Sequence, residues 1–212
     1  MRQENPATIS NASTSIKQEE VFRDDDGGRV FLVRRGDAPI DQSHNHGGEV
    51  IANPVLHNIF LGAWQDGDKA AVIQTLPAIN DEQARSFLGR TGVGDPSLPS
   101  SWQDQPKDFG AENKVSDMQI RAQLDAMFKQ GSIGSPKKDD IFVIHLPPGT
   151  VSTVGPLYGA KHYLAYHDHY YSEGGRVNYA VIPFDSNAQR RQETVRSAAI
   201  QAIVNPIGNG WY

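Results

Sequence analysis

Ten residues from His162 to Tyr171, H-Y-L-A-Y-H-D-H-Y-Y, gather the side chains best able to do chemistry. The imidazoles of His162, His167 and His169 can hold a metal ion such as zinc, or exchange a proton near neutral pH. Asp168 can steady one of those rings through its free N–H, or join the metal itself. In a strand, His167 and His169 leave the backbone on the same side, a spacing suited to two ligands of one ion. Tyr166 and its tyrosine neighbours can offer hydroxyls to a carbonyl or a sugar. The same composition also suits an aromatic sheet edge with exposed histidines, and the sequence leaves both readings open. A second candidate is Trp102, in the proline- and glycine-punctuated segment from Gly92 to Gly110. Long loops often lie over a site, and an indole there can stack on a ligand.

Other polar groupings carry less. His44-Asn45-His46 offers two donors in a glycine-rich loop, with no third ligand close in sequence. Asp24-Asp25-Asp26-Gly27-Gly28 has oxygen ligands for calcium but no closing glutamate, so it reads as a solvated turn. His57 and His145 interrupt apolar runs and read as hydrogen-bonded core histidines. No phosphate loop, nucleotide glycine fingerprint or nucleophile elbow is present in the sequence.

The elements that must position these groups alternate in type. Val50 to Trp64 and Ile141 to Leu146 are apolar on both faces, the pattern of strands in a sheet covered on both sides. Tyr163 to Tyr171 and Val177 to Phe184 read as further strands, and Arg29 to Arg34 as an early one. Asp81 to Leu88 reads as a short helix capped by Asn80. Ser116 to Gln130 reads as a longer one, with Ser116 and Gln119 at capping-box spacing and Gly131 as its stop. Val195, Ala198, Ala199, Ala202 and Ile203 form a small-residue stripe on a final helix that ends near Val204, ahead of Asn205-Pro206. The fold class is therefore α/β (or α+β), a layered sheet covered by helices. The expected organisation is a disordered or loosely attached segment over 1–28 and a single globular domain over 29–212.

Composition narrows the function classes. The 212 residues carry a net charge of -5, which disfavours nucleic acid and anionic membrane as partners. There is no cysteine, so a disulfide framework, a thiolate metal site and a cysteine nucleophile are excluded. No apolar run is long enough to span a bilayer. The first residues lack the apolar core of a secretion signal, so the chain is either not secreted or shown without its leader.

Four stretches in order carry a resemblance: N-P-V-L-H-N-I-F-L-G-A-W from Asn53, D-I-F-V-I-H-L-P-P-G from Asp140, A-Y-H-D-H…N-Y-A-V-I-P from Ala165, and N-P-I-G-N-G-W-Y from Asn205. Together they resemble the exordium-like (phosphate-induced) proteins of plants and a related group of secreted microbial proteins. The resemblance implies a zincin-like core and an extracellular location. In the microbial members the last helix carries His-Glu-x-x-Glu, which resembles a zinc-hydrolase helix. Alignment on Ala202 and Asn205-Pro206 places Ser197, Ala198 and Gln201 at those positions. A methyl, a neutral hydroxyl and an amide supply neither the base nor the ligands such a site requires.

The leading expectation is a non-catalytic extracellular protein with a degenerate metallohydrolase fold and no cofactor, binding a partner protein or cell-wall carbohydrate. The alternatives are a zinc-dependent peptidase or hydrolase built on His162, His167 and His169, and a structural or interaction protein without a small-molecule site.

Overall fold

The computed structural model describes residues 20–22, 29–34, 47–99 and 103–207. Trp102, His44, His46, the acidic turn at 24–28 and the residues after 207 lie outside them. The fold is mixed α/β, built on a seven-stranded sheet with a three-stranded sheet beside it. The large sheet is formed by β1 (Glu20–Phe22), β2 (Arg29–Val33), β3 (Val55–Leu61), β4 (Gln103–Gln105), β6 (Asp140–Leu146), β9 (Ala165–Ser172) and β10 (Gly175–Pro183). Their spatial order is β1-β2-β9-β10-β6-β3-β4. The small sheet is β5 (Lys114–Ser116), β7 (Val151–Val154) and β8 (Leu157–Tyr158), in the order β5-β7-β8.

Helices lie on both faces of the large sheet. On one face are α1 (Asp66–Ile73), a 3-10 turn (Leu76–Asn80), α2 (Glu82–Arg90) and α4 (Ala188–Val204). Their apolar side chains pack with Leu56, Ile141, Val143, Ala165, Ala180 and Ile182 of the strands. On the other face is α3 (Asp117–Lys129), whose Ile120, Leu124 and Met127 pack with Phe142, Ile144, Tyr166 and Tyr179. Alternation along each strand divides the residues between these two cores. Burial on both sides explains why β6 is buried along its whole length.

The signals for α3 and α4 work as the sequence reading expects. Ser116 accepts from the Gln119 N–H at 3.3 Å, while Gln119 Oε1 accepts from the Ser116 N–H at 2.8 Å, a complete capping box. Gly131 closes α3 with a φ of 69°, which glycine adopts without strain. The α4 stripe of Val195, Ala198, Ala199, Ala202 and Ile203 is fully buried, and the helix ends at Val204. Its small side chains let α4 lie close across β9 and β10.

Several elements differ from the sequence reading. Glu20–Phe22, placed in the N-terminal segment by composition, pairs antiparallel with β2. Asp66-Gly67-Asp68 has the composition of a turn but opens α1. Asp81, not Asn80, caps α2 by accepting from the Ala84 N–H at 2.8 Å. Gly92 to Gly110 is not all loop: Gln103–Gln105 pairs parallel with β3 as an edge strand. No local pattern announces a three-residue edge strand, because its hydrogen bonds come entirely from a distant partner. The aromatic stretch β9 is no sheet edge either, since β2 and β10 flank it. Among the described residues no helix is long and apolar enough to cross a membrane.

Candidate functional site

Strands β4, β3, β6 and β10 form a parallel block. From β3 the chain passes over the α4 face and returns as β4 on the outer side of β3. From β4 it passes over the α3 face and returns as β6 on the inner side. The winding direction therefore reverses between β3 and β6. In open α/β sheets, the strand ends splay apart at such a switch and leave a crevice outside their carboxyl ends.

That crevice is present. A cavity of ≈ 400 Å³ is lined by Ala63 after β3, by Pro147, Pro148 and Thr150 after β6, and by Lys107, Asp108, Phe109 and Asn113 from the segment after β4. A second cavity of ≈ 330 Å³ shares Lys107, Asp108 and Phe109 and extends along α3 to Gln119 and Gln123. Both volumes fall in the range of small-molecule sites.

The walls are tightly built. Gly62 ends β3 at a φ of 114°, and a Cβ there would stand 2.8 Å from Pro147 Cγ and 2.9 Å from Phe109 Cε2. Only glycine allows this contact, which fixes Phe109 between the two lobes. Asn113 sits in the left-handed region at φ 47°. Its side-chain oxygen accepts from Thr150 Oγ1 at 3.0 Å, and its main-chain oxygen from the Val151 N–H at 2.9 Å. Asparagine tolerates this conformation better than most residues, and such outliers collect at ligand sites.

The sequence-nominated site residues lie elsewhere. Tyr166 and Asp168 point to the α3 face, while His167 lies with Ala165 on the α4 face. His167 is fully buried, stacks on Phe31 at 5.2 Å between ring centroids, and has no hydrogen-bond partner on either ring nitrogen. Burial, with a smaller contribution from nearby His169, lowers its pKa to about 3. His162 is in the turn before β9, where its Nδ1 accepts from the Tyr158 N–H at 2.9 Å. The three histidines do not converge: among the described residues no group of three His, Cys, Asp or Glu side chains is placed to hold a metal ion. On α4, Ala198 is buried in the core, and Ser197 and Gln201 are half-buried. The helix does lie against β9, the strand that carries His167.

Asp168 belongs to a buried charged network under α3. Arg121 pairs with Asp117 at 3.1 Å and with Asp168 at 3.2 Å, and its Nε donates to the Tyr179 hydroxyl at 3.1 Å. The Tyr179 hydroxyl in turn donates to Asp117. Tyr163, Tyr166, Tyr179 and Tyr170 make a chain of edge-to-face contacts through this layer. Burial, then the Asp117 charge, pushes the Tyr166 phenol far above its ordinary value. At the other core, His145 is also fully buried and bonds Asn58 Oδ1 at 3.0 Å; burial lowers its pKa to about 3. His57 lies 2.9 Å from Asp140. Both histidines thus have the structural roles their sequence context suggests.

The crevice residues carried one usable signal. Gly62 and Pro147-Pro148-Gly149 punctuate the ends of the two doubly apolar strands, where a parallel sheet binds its ligands. Nothing local reveals that β3 and β6 are neighbours. No protein-family model matches the chain, and no curated protein or solved structure matches it either.

Proposed function

We propose that this chain is a non-catalytic binding protein that takes a carbohydrate in the crevice between β3 and β6. The observation that carries this reading is the crevice at the winding switch, with polar groups on several sides and one aromatic ring between its lobes. A sugar presents hydroxyls that both donate and accept, and C–H faces that pack on aromatic rings. Lys107 offers an ammonium, Asp108 a carboxylate, and Asn113, Gln119 and Gln123 amides, around Phe109.

The resemblance to exordium-like proteins supports an extracellular setting and a cell-wall polymer as the source of the sugar. The residues on α4 favour a fold without its metal: Ser197, Ala198 and Gln201 provide no charged ligand or base.

Saturation-transfer NMR with neutral cell-wall oligosaccharides tests the proposal. Transfer to at least one of them is expected from the native chain. Phe109→Ala should weaken that binding about tenfold, equivalent to about 1.4 kcal/mol, with an unchanged circular dichroism spectrum. Absence of transfer to every oligosaccharide, or equal affinity in the variant, would remove the crevice from consideration.

A further inference from the structure

A second site lies at the carboxyl end of β10, apart from the residues that line the crevice. It begins with an arginine that lacks what four other half-buried arginines have. Arg121 pairs with Asp117 and Asp168, Arg176 with Glu49, Arg190 with Asp185, and Arg196 with Asp81. Arg191 is 8% exposed and pairs with no carboxylate among the described residues. Its Nη1 donates to the Asp185 main-chain oxygen at 2.6 Å, and its guanidinium lies 5.3 Å over the Phe184 ring. Its Nε is buried with no hydrogen-bond partner. Asp185 is near enough to feel the charge of Arg191, but its carboxylate oxygens are engaged by Arg190 and the Asn187 N–H. A buried guanidinium with an idle N–H is costly unless an anion accompanies it.

Arg191 lines a cavity of ≈ 30 Å³. That is about twice what one water needs, so it seats about two oxygens, the pair that a carboxylate or the end of a phosphate group presents. Thr194, one turn along α4, and Asp185, whose carboxylate is held by Arg190 and the Asn187 N–H, line the same wall, and Phe184 and Leu164 make the apolar sides. Ala160 closes the rim at φ 64°, with its N–H donating to the Tyr163 oxygen at 2.8 Å. A non-glycine residue held left-handed at a cavity rim is local strain that surrounding structure must maintain. The Phe184 ring holds the guanidinium plane in place, so one face of its donor fork is set before any ligand arrives.

We propose that this cavity binds an oxyanion, the carboxylate or phosphate end of a ligand, with Arg191 as its counter-charge. Arg191 and Thr194 hold the head group, and the rest of the ligand leaves past Ala160.

Titration of the full chain with sodium phosphate and, separately, sodium acetate decides it, with sodium chloride at matched ionic strength as the control. Nitrogen-edited NMR follows the Arg191 Nε–H, and a melting curve follows stability. One of the two oxyanions is expected to shift the Arg191 Nε–H saturably and raise Tm, and the tighter of them identifies the head group. Arg191→Lys keeps the charge and should raise the apparent Kd at least about tenfold, because an ammonium lacks the fork. Phe109→Ala should leave the response intact, which separates this site from the carbohydrate crevice. The proposal is overturned if neither oxyanion shifts the native Arg191 Nε–H, if chloride produces the same shift, or if Phe109→Ala abolishes it.

Discussion

The two faces of the large sheet solve the same problem in opposite ways. Under α4 the core is alanine and aliphatic, and its buried histidines are held neutral: His145 bonded to Asn58, and His167 stacked on Phe31. Under α3 the core holds charges and pairs them, with Arg121 between Asp117 and Asp168 and tyrosine hydroxyls completing the network. A neutral imidazole needs few partners but fails when it must take up a proton. A charged network fails when one member is removed. Each face therefore has its own weakness.

Acid should expose the first weakness, with the largest effect. His145 and His167 have folded pKa values lowered to about 3, below the ordinary value of 6.5. Between those limits the unfolded chain binds protons that the folded chain refuses, so stability falls as pH drops from about 6.5 towards 3. The slope reaches about 1.4 kcal/mol per pH unit for each histidine. Urea unfolding across this window should show the loss, and His167→Phe, which keeps a ring against Phe31, should remove about half of the slope. An unchanged slope would mean that the α4 face is not where acid acts.

Arg121→Ala should expose the second. It leaves Asp117 and Asp168 buried without their cation, at a cost of about 3–5 kcal/mol. The loss should appear as a drop in urea midpoint at neutral pH. A loss under about 1 kcal/mol would show that water reaches the network. The smallest effect is local to the α3 side: Ser116→Ala removes one half of the capping box and should cost about 1 kcal/mol, measured by chemical denaturation. A change beyond about 2 kcal/mol would mean that Ser116 supports more than its helix end.

The contrast between the faces was partly legible. The α4 stripe and the α3 capping box are local patterns, and local patterns survive into the fold because nearest neighbours along the chain enforce them. The doubly apolar β3 and β6 announced a covered sheet for the same reason. The histidine-rich β9 was legible as a strand but not as a central one, so its rings read as ligands or solvent groups when His167 is sealed in a core. Arg121 has Asp117 one turn back on its own helix, a pairing local enough to read in the sequence, but its second carboxylate, Asp168, comes from the strand beneath, while the strands beneath Arg191 bring it no paired carboxylate.

By itself the sequence determined the long strands, the α3 cap and the α4 stop, the buried faces and the layered α/β class, since these follow from side-chain periodicity and backbone preferences over a few residues. The tertiary structure alone decided strand order, and with it the switch between β3 and β6, the approach of Gly62 to Pro147 and Phe109, and the cavity that Arg191 lines. Those features depend on contacts between residues tens of positions apart. Their partners are chosen by which surfaces can be buried together, a choice that no short window of sequence contains.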